Sequence, residues 1–139
     1  MKIQPYLFFE GRAEEAIEFY RTHLGAEVVM LVRFKDSPEP PGMPLPAGSE
    51  NKVMHATLQI GEAALLLSDG SCSGKPGFGG FSLSIEVADE AEARRVFGGL
   101  SEGGQVQMPL GETFFASTFG MVQDKFGLGW MIITGQKHT

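Results

Sequence analysis

One cysteine, Cys72, stands in 139 residues, so no disulfide can close within the chain and no zinc site built on several thiolates is available. Such sparing use of cysteine suits a reducing compartment, and the expected location is the cytoplasm. Lysine and arginine form no cluster, and the formal net charge is −6. Nucleic acid and anionic membrane surfaces both need a basic footprint, so neither is expected as a partner. No stretch approaches the ~20 apolar residues of a membrane span. The opening MKIQPYLFFEGR is apolar over too short a run for a signal peptide, and Glu10 interrupts it. Phosphate-binding loops are missing too. The glycines of SDGSCSGKPGFGG (68–80) fit neither G-x-x-x-x-G-K-[ST] nor G-x-G-x-x-G after a strand.

What is present is an ordinary globular composition, 42% apolar and 20% charged, in a chain of the size of one domain, 1–139. IQPYLFF (3–9) alternates like a strand, with Gln4, Tyr6 and Phe8 on one side and Ile3, Leu7 and Phe9 on the other. RAEEAIEFYRTHL (12–24) follows as a helix, its stripe at Ala13, Ala16, Ile17 and Tyr20, with Gly25 as its stop. Strand-like runs continue at 26–34, 53–60 and 63–68. The second half repeats this order. FSLSIEV (81–87) alternates Phe81, Leu83, Ile85 and Val87 against Ser82, Ser84 and Glu86. Asp89 and Glu92 give a D-x-x-E helix start, and the next stripe, Ala93, Val96, Phe97 and Leu100, has the spacing of the first displaced by 80. Glycines 103 and 104 end that helix, and strand-like runs follow at 105–110, 114–122 and 128–134. The pattern is β-α-β-β-β twice, with the repeats at about 1–70 and 81–139 and a linker at about 70–80. Segment 35–52 holds five of the eight prolines and reads as a long loop of the kind that serves as lid or binding arm.

These residues resemble the vicinal oxygen chelate superfamily, which includes glyoxalase I, extradiol dioxygenases and bleomycin-resistance proteins. The likeness is carried by the paired units, by PYLFFEGRAEEAIEFYRTHLGAEV, and by a D-x-x-G turn before the last strand. KVMHATLQIG, GGQVQMPLGETFFASTFGMVQDKFGLGWMI and the early DSPE are similar to the PhnB-like branch. The resemblance implies an α+β fold of cupped, mostly antiparallel sheets with helices outside, and a homodimer. Some members of that branch carry a methyltransferase label, but no Gly-rich turn suited to a nucleoside cofactor follows the first strand.

In such a cup Ile3/Leu7/Phe9 and Phe81/Leu83/Ile85/Val87 would lie under the helices, and Gln4/Tyr6/Phe8 and Ser82/Ser84/Glu86 would face the interior. In 53–60, Met54, Ala56, Leu58 and Ile60 would form the apolar face, with Val53, His55, Thr57 and Gln59 opposite. The superfamily's metal positions fall near Gln4, Leu65, Ser82 and Met131, or at the same-face alternatives Tyr6, Leu67, Ser84 and Ile133. The last position is anchored best, because Gly127 of the DKFG turn leads to Met131 where the family has a carboxylate. A divalent metal needs three or four converging N, O or S donors, which this set does not supply, so neither a metal nor another cofactor is expected. His23 near a helix end and His138 in the tail read as structural or solvated, and no H-x-x-x-H or H-E-x-x-H spacing occurs.

His55 has two readings, a ring held by hydrogen bonds in or beside the cup, or the cup's acid–base or ligand-contacting group. Glu112 in LGETFF is either a second polar cup residue or a turn residue. Trp130 reads as core or dimer packing, and Met54, Met108, Met121 and Met131 as core or as the lining of a deformable pocket. The expected function is metal-free binding of a small, partly apolar molecule by Gln4, Tyr6, Phe8, His55, Thr57, Ser82, Ser84, Glu112 and Met131, with 35–52 as a flap. Two alternatives stand beside it: a metal-dependent lyase, isomerase or dioxygenase, and an interaction module whose cup is filled by side chains.

Overall fold

The computed structural model describes residues 1–38, 42 and 44–137; His138 and residues 39–41 and 43 of the long loop lie outside the described residues. The chain parts into two compact units, Met1–Gly77 and Phe78–Thr139. The first contains β1 (Tyr6–Phe8), α1 (Ala13–Leu24), β2 (Glu27–Arg33), β3 (Val53–Ile60) and β4 (Ala63–Ser68). The second contains β5 (Leu83–Glu86), α2 (Glu90–Ser101), β6 (Gln105–Gly111), β7 (Ala116–Gln123) and β8 (Gly129–Gln136). Each forms a four-stranded mixed sheet, in the orders β1-β4-β3-β2 and β5-β8-β7-β6. In both, the first strand runs parallel to the last while the other pairs are antiparallel. The α+β double repeat is therefore the architecture, and neither sheet closes on itself.

The helix stripes explain which face of each sheet is covered. Ala13, Ala16, Ile17 and Tyr20 are all buried, as are Ala93, Val96 and Leu100. Gly25 ends α1 in the left-handed conformation, its N–H donating to the Tyr20 carbonyl. Asp89 caps α2 by accepting from the Glu92 N–H at 2.8 Å. Leu7, Phe9, Ala56, Leu58 and Leu67 complete the first core, while Trp130, Ile132, Val122 and Leu128 belong to the second.

Two buried carboxylates tie loops to these cores. Asp69 Oδ1 accepts from the Gly11 and Ala13 N–H groups at the start of α1, and Oδ2 accepts from the Val53 N–H, each at 2.8 Å. Asp124 accepts from the Phe126 and Leu128 N–H groups and from Trp130 Nε1, which knots the DKFG turn and holds the indole in the core. Arg33 forms a two-pronged ion pair with Glu14 at 2.8 Å and donates to the Asn51 carbonyl, joining α1, β2 and the end of the long loop.

Some expected faces are corrected. Ile3 is 89% exposed because β1 begins only at Tyr6, and Phe81, ahead of β5, is 47% exposed. On β3 the alternation breaks: Val32 pairs with His55 and Arg33 with Val53, which leaves Met54 as an extra residue opposite the step. Val53 is consequently fully buried, and Met54 leaves the helix side to line a hollow with Phe8 and Ser68. On β4, Tyr6 pairs with Leu66, so the open side carries Leu66 and Ser68, while Leu65 and Leu67 point into the helix-side core. The two superfamily positions expected there, Leu65 and Leu67, are thus not on the open face.

Candidate functional site

On the open face of the first unit, alternation along β1 presents Tyr6 and Phe8 while Leu7 goes into the core. Their rings stack at 5.0 Å between centroids. Tyr6 Oη lies 2.9 Å from His55 Nδ1, and His55 Nε2 lies 3.3 Å from Thr57 Oγ1. Two sets of donors satisfy both contacts: Tyr6 donates to Nδ1 while Nε2 donates to Thr57, or the other tautomer reverses both bonds. Burial pushes the Tyr6 phenol above its ordinary value, with a hydrogen bond to Ser68 offsetting part of that rise. Tyr6 thus keeps its proton, and the imidazole is oriented from both sides.

Beside this chain lies a hollow of about 480 Å³. Phe8, Phe34, Leu45 and Met54 supply its apolar wall, and Ser68, Ser71 and Glu10 its polar edge. Leu45 and Gly42 come from the long loop, whose ends are pinned together by the Phe34 N–H donating to the Lys52 carbonyl at 3.0 Å. A volume of this size, with a mainly apolar lining and a few convergent polar groups, is that of a small-molecule pocket.

The open face of the second unit is softer. Met108, Met121 and Met131 sit side by side on β6, β7 and β8, and Ser84 extends the row on β5. Flexible thioethers make such a row deformable. Glu86 is on the same face and accepts from Gln136 Nε2 at 3.1 Å. Trp130 points the other way, into the core.

The remaining expected residues are placed apart from these two faces. Glu112 pairs with Lys137 at 2.7 Å and lines a groove with Glu90 and Arg94 of α2, on the helix side. The hydrogen bond from Lys137 holds its carboxyl below the ordinary value. Gln4 precedes β1 and is half-buried, and Ser82 precedes β5 beside Gly129. His23 lies in the last turn of α1 with its ring 4.6 Å from that of Phe19.

Glu10 was not among the residues singled out from sequence. It holds a left-handed backbone, φ +54°, between β1 and α1. Its Oε1 accepts from Ser71 Oγ at 2.8 Å and from the Ser73 N–H at 3.1 Å. Partial burial would raise its carboxyl, but these hydrogen bonds together hold it below the ordinary value. The sequence signal is an acidic residue in a strand-to-helix turn, which is indistinguishable from a solvated one until the loop 61–63 residues later is seen to close on it.

A family model described as 3-demethylubiquinone-9 3-methyltransferase matches residues 1–133. Protein YjdN of Escherichia coli (strain K12) is 36% identical over 95% of this chain and 94% of its own length. The crystal structure of PA1353 from Pseudomonas aeruginosa is 43% identical with a TM-score of 0.84, covering 99% of both chains. A putative 3-demethylubiquinone-9 3-methyltransferase, PhnB protein, from Bacillus cereus is 31% identical with a TM-score of 0.79, covering 97% of this chain and 100% of that one. At the level of fold alone, a glyoxalase-related enzyme from Fulvimarina pelagi is 19% identical with a TM-score of 0.63, over 97% of this chain and 88% of its own.

Two groups implied by these relationships can be tested against the residues. A methyl-donor nucleoside calls for a glycine-rich turn after a first strand, where the backbone can approach the nucleoside closely. Here the turn after β1, FEGR, holds a single glycine whose N–H is taken by Asp69, as is the first N–H of α1, that of Ala13, so the residues do not fit such a cofactor. For a metal, no group of three or more His, Cys, Asp or Glu side chains gathers among the described residues, and the position after the DKFG turn carries a thioether, a poor donor for hard or borderline ions. The donor set does not fit a divalent ion. With residues 1–133 matched to its model, the chain belongs to the family so described, the PhnB-like branch of the glyoxalase/bleomycin-resistance, or vicinal oxygen chelate, fold.

Proposed function

We propose that this protein binds a small, partly apolar molecule without a metal, as a homodimer in the cytoplasm. The observation that carries this reading is the hollow of about 480 Å³ on the first unit, apolar along Phe8, Phe34, Leu45 and Met54 and edged by Ser68 and Ser71. Tyr6, His55 and Thr57 supply oriented polar groups next to it, and loop 35–52 acts as its flap. Ser84 and Met131 offer a second, softer contact surface. Gln4, Ser82 and Glu112 are the peripheral members of the expected set. The reducing compartment is supported by a single cysteine, Cys72, whose thiol burial pushes up and so keeps protonated.

A ligand that binds only the native state raises the melting temperature. A small-molecule thermal-shift screen is therefore expected to yield hits that are lost in Met54→Trp, which fills the hollow. A screen without hits, together with a crystal structure in which side chains close the hollow, would favour the interaction module instead. Elemental analysis after exposure to Mn²⁺, Ni²⁺, Zn²⁺ and Fe²⁺ is expected to find no stoichiometric metal. Uptake that disappears in His55→Ala would overturn the metal-free reading.

Metal-free acid–base chemistry is favoured by one observation, the 2.9 Å contact between Tyr6 and His55. Turnover of a bound ligand that vanishes in Tyr6→Phe and His55→Gln, with binding retained, would establish it.

A further inference from the structure

Glu10 occupies the hollow's edge in a way that binding an apolar body does not require. Among the described residues, the non-glycine positions with left-handed backbone are Glu10, φ +54°, and Cys72, φ +57°. Both belong to one small assembly. The loop through Cys72 sends Ser71 Oγ and the Ser73 N–H to Glu10 Oε1, and the Gly74 N–H to the Glu10 carbonyl. Such conformations are unfavourable for residues other than glycine and persist where the surroundings enforce them. Gly70, also left-handed at φ +57°, completes the arrangement, because any β-carbon there would collide with Glu10 Oε2.

The consequence is a half-buried carboxylate whose Oε1 is fixed by the Ser71–Ser73 turn and whose Oε2 packs over Gly70 at the edge of the hollow. Arg21, Arg33, Arg94 and Lys137 pair with Glu18, Glu14, Glu90 and Glu112. Lys52, the cation of the neighbouring loop, donates to the Gly11 carbonyl at 2.8 Å. The Ser71 and Ser73 contacts fix the carboxylate at the edge of the hollow instead of letting it swing into solvent. The hollow's other polar groups, Ser68 and Ser71, are neutral, and the faces of Phe8 and Phe34 favour a cation over an anion.

We propose that the hollow of the first unit selects a protonated amine carried on an apolar, aromatic-sized body, with Glu10 Oε2 receiving the ammonium group and Phe8, Phe34 and Met54 holding the body. This deepens the binding reading above and rests on it. Glu10 determines the sign of charge that the site accepts, and Gly70 makes room for its Oε2.

Three probes with one indole body separate the issues: tryptamine, tryptophol and indole-3-acetate, titrated by calorimetry and by NMR shift mapping. Tryptamine is expected to bind at least tenfold more tightly than tryptophol, and indole-3-acetate most weakly. Glu10→Gln is expected to bring tryptamine down to tryptophol without changing tryptophol. Because the substitution could also loosen the Ser71–Ser73 turn, the wild-type protein gives an independent measure. Raising the salt concentration should weaken tryptamine and leave tryptophol unaffected. Equal affinities for amine and alcohol, or an amine preference that survives both Glu10→Gln and added salt, would overturn the proposal while leaving the binding reading intact. Failure of all three probes to bind the wild-type hollow would overturn this proposal, and joined to a screen without hits it would overturn the binding reading as well.

Discussion

Asp69 shows how one side chain can decide the arrangement of a whole unit. It is 1% exposed and accepts from three backbone N–H groups, those of Gly11 in the turn before α1, Ala13 at the first residue of α1 and Val53 at the first residue of β3. A buried N–H left without an acceptor costs about 1–3 kcal/mol. Asp69→Ala strands three at once, although some can be reached by water after local relaxation. The expected outcome is a loss of about 3 kcal/mol or more in urea-denaturation stability. A loss below about 1 kcal/mol would mean that these contacts are dispensable. Asp69 also places the hollow, since it fixes the turn that carries Glu10. Its role was not legible in SDGSCSG, where an aspartate after a strand looks like any turn former; what makes it structural is a partner set 16 to 58 residues away.

At the scale of elements, the β-α-β-β-β repeat was legible because helix stripes and strand alternation are local properties. The two stripes, at Ala13 and at Ala93, both end up against sheets. The ends and irregularities were not legible, because they depend on pairing. Ile3 and Phe81 continue an alternating pattern but have no strand to join, and Met54 leaves its expected face because β3 carries one residue more than β2 at that step. The same holds for the placement of the candidate residues: that Tyr6, His55 and Thr57 share a face follows from alternation along two strands, whereas the position of Glu10 depends on a distant loop. Gly104 is a further case. It reads as a helix stop, yet its place is set by the entry of β6, where a β-carbon would collide with the Gln123 carbonyl and lie 2.9 Å from the Asp124 carbonyl carbon. Backbone cannot yield as a side-chain end can, so β6 must move away from β7. Gly104→Ala is expected to cost about 2–3 kcal/mol, within the range for overpacking. Hydrogen exchange should show the loss concentrated in β6 and the neighbouring part of β7. Unchanged exchange in β6 would contradict the steric account.

For the molecule as a whole, each unit covers one side of its sheet with a helix and leaves the other side open. The open sides and edges carry large apolar groups that monomers seldom leave uncovered in number: Tyr6, Phe8 and Met30 on the first unit, Val106 and Met108 on the second. The edge strand β2 adds Val28 and Val29, exposed by 39% and 65%, on a strand whose outer hydrogen-bonding groups have no neighbour within its own sheet. The proposed homodimer would cover such groups, and it predicts a mass of twice 15.0 kDa by light scattering. Met30→Lys and Met108→Lys place a charge on each open face at residues 50% and 43% exposed, so the fold of a single chain should survive both. At least one is expected to weaken the dimer tenfold or more, about 1.4 kcal/mol, since burying an unpaired ammonium is costly. A monomeric wild-type protein would overturn the dimer. A dimer indifferent to both lysines would move the interface elsewhere, and the open faces would then remain accessible to ligand in the assembled protein.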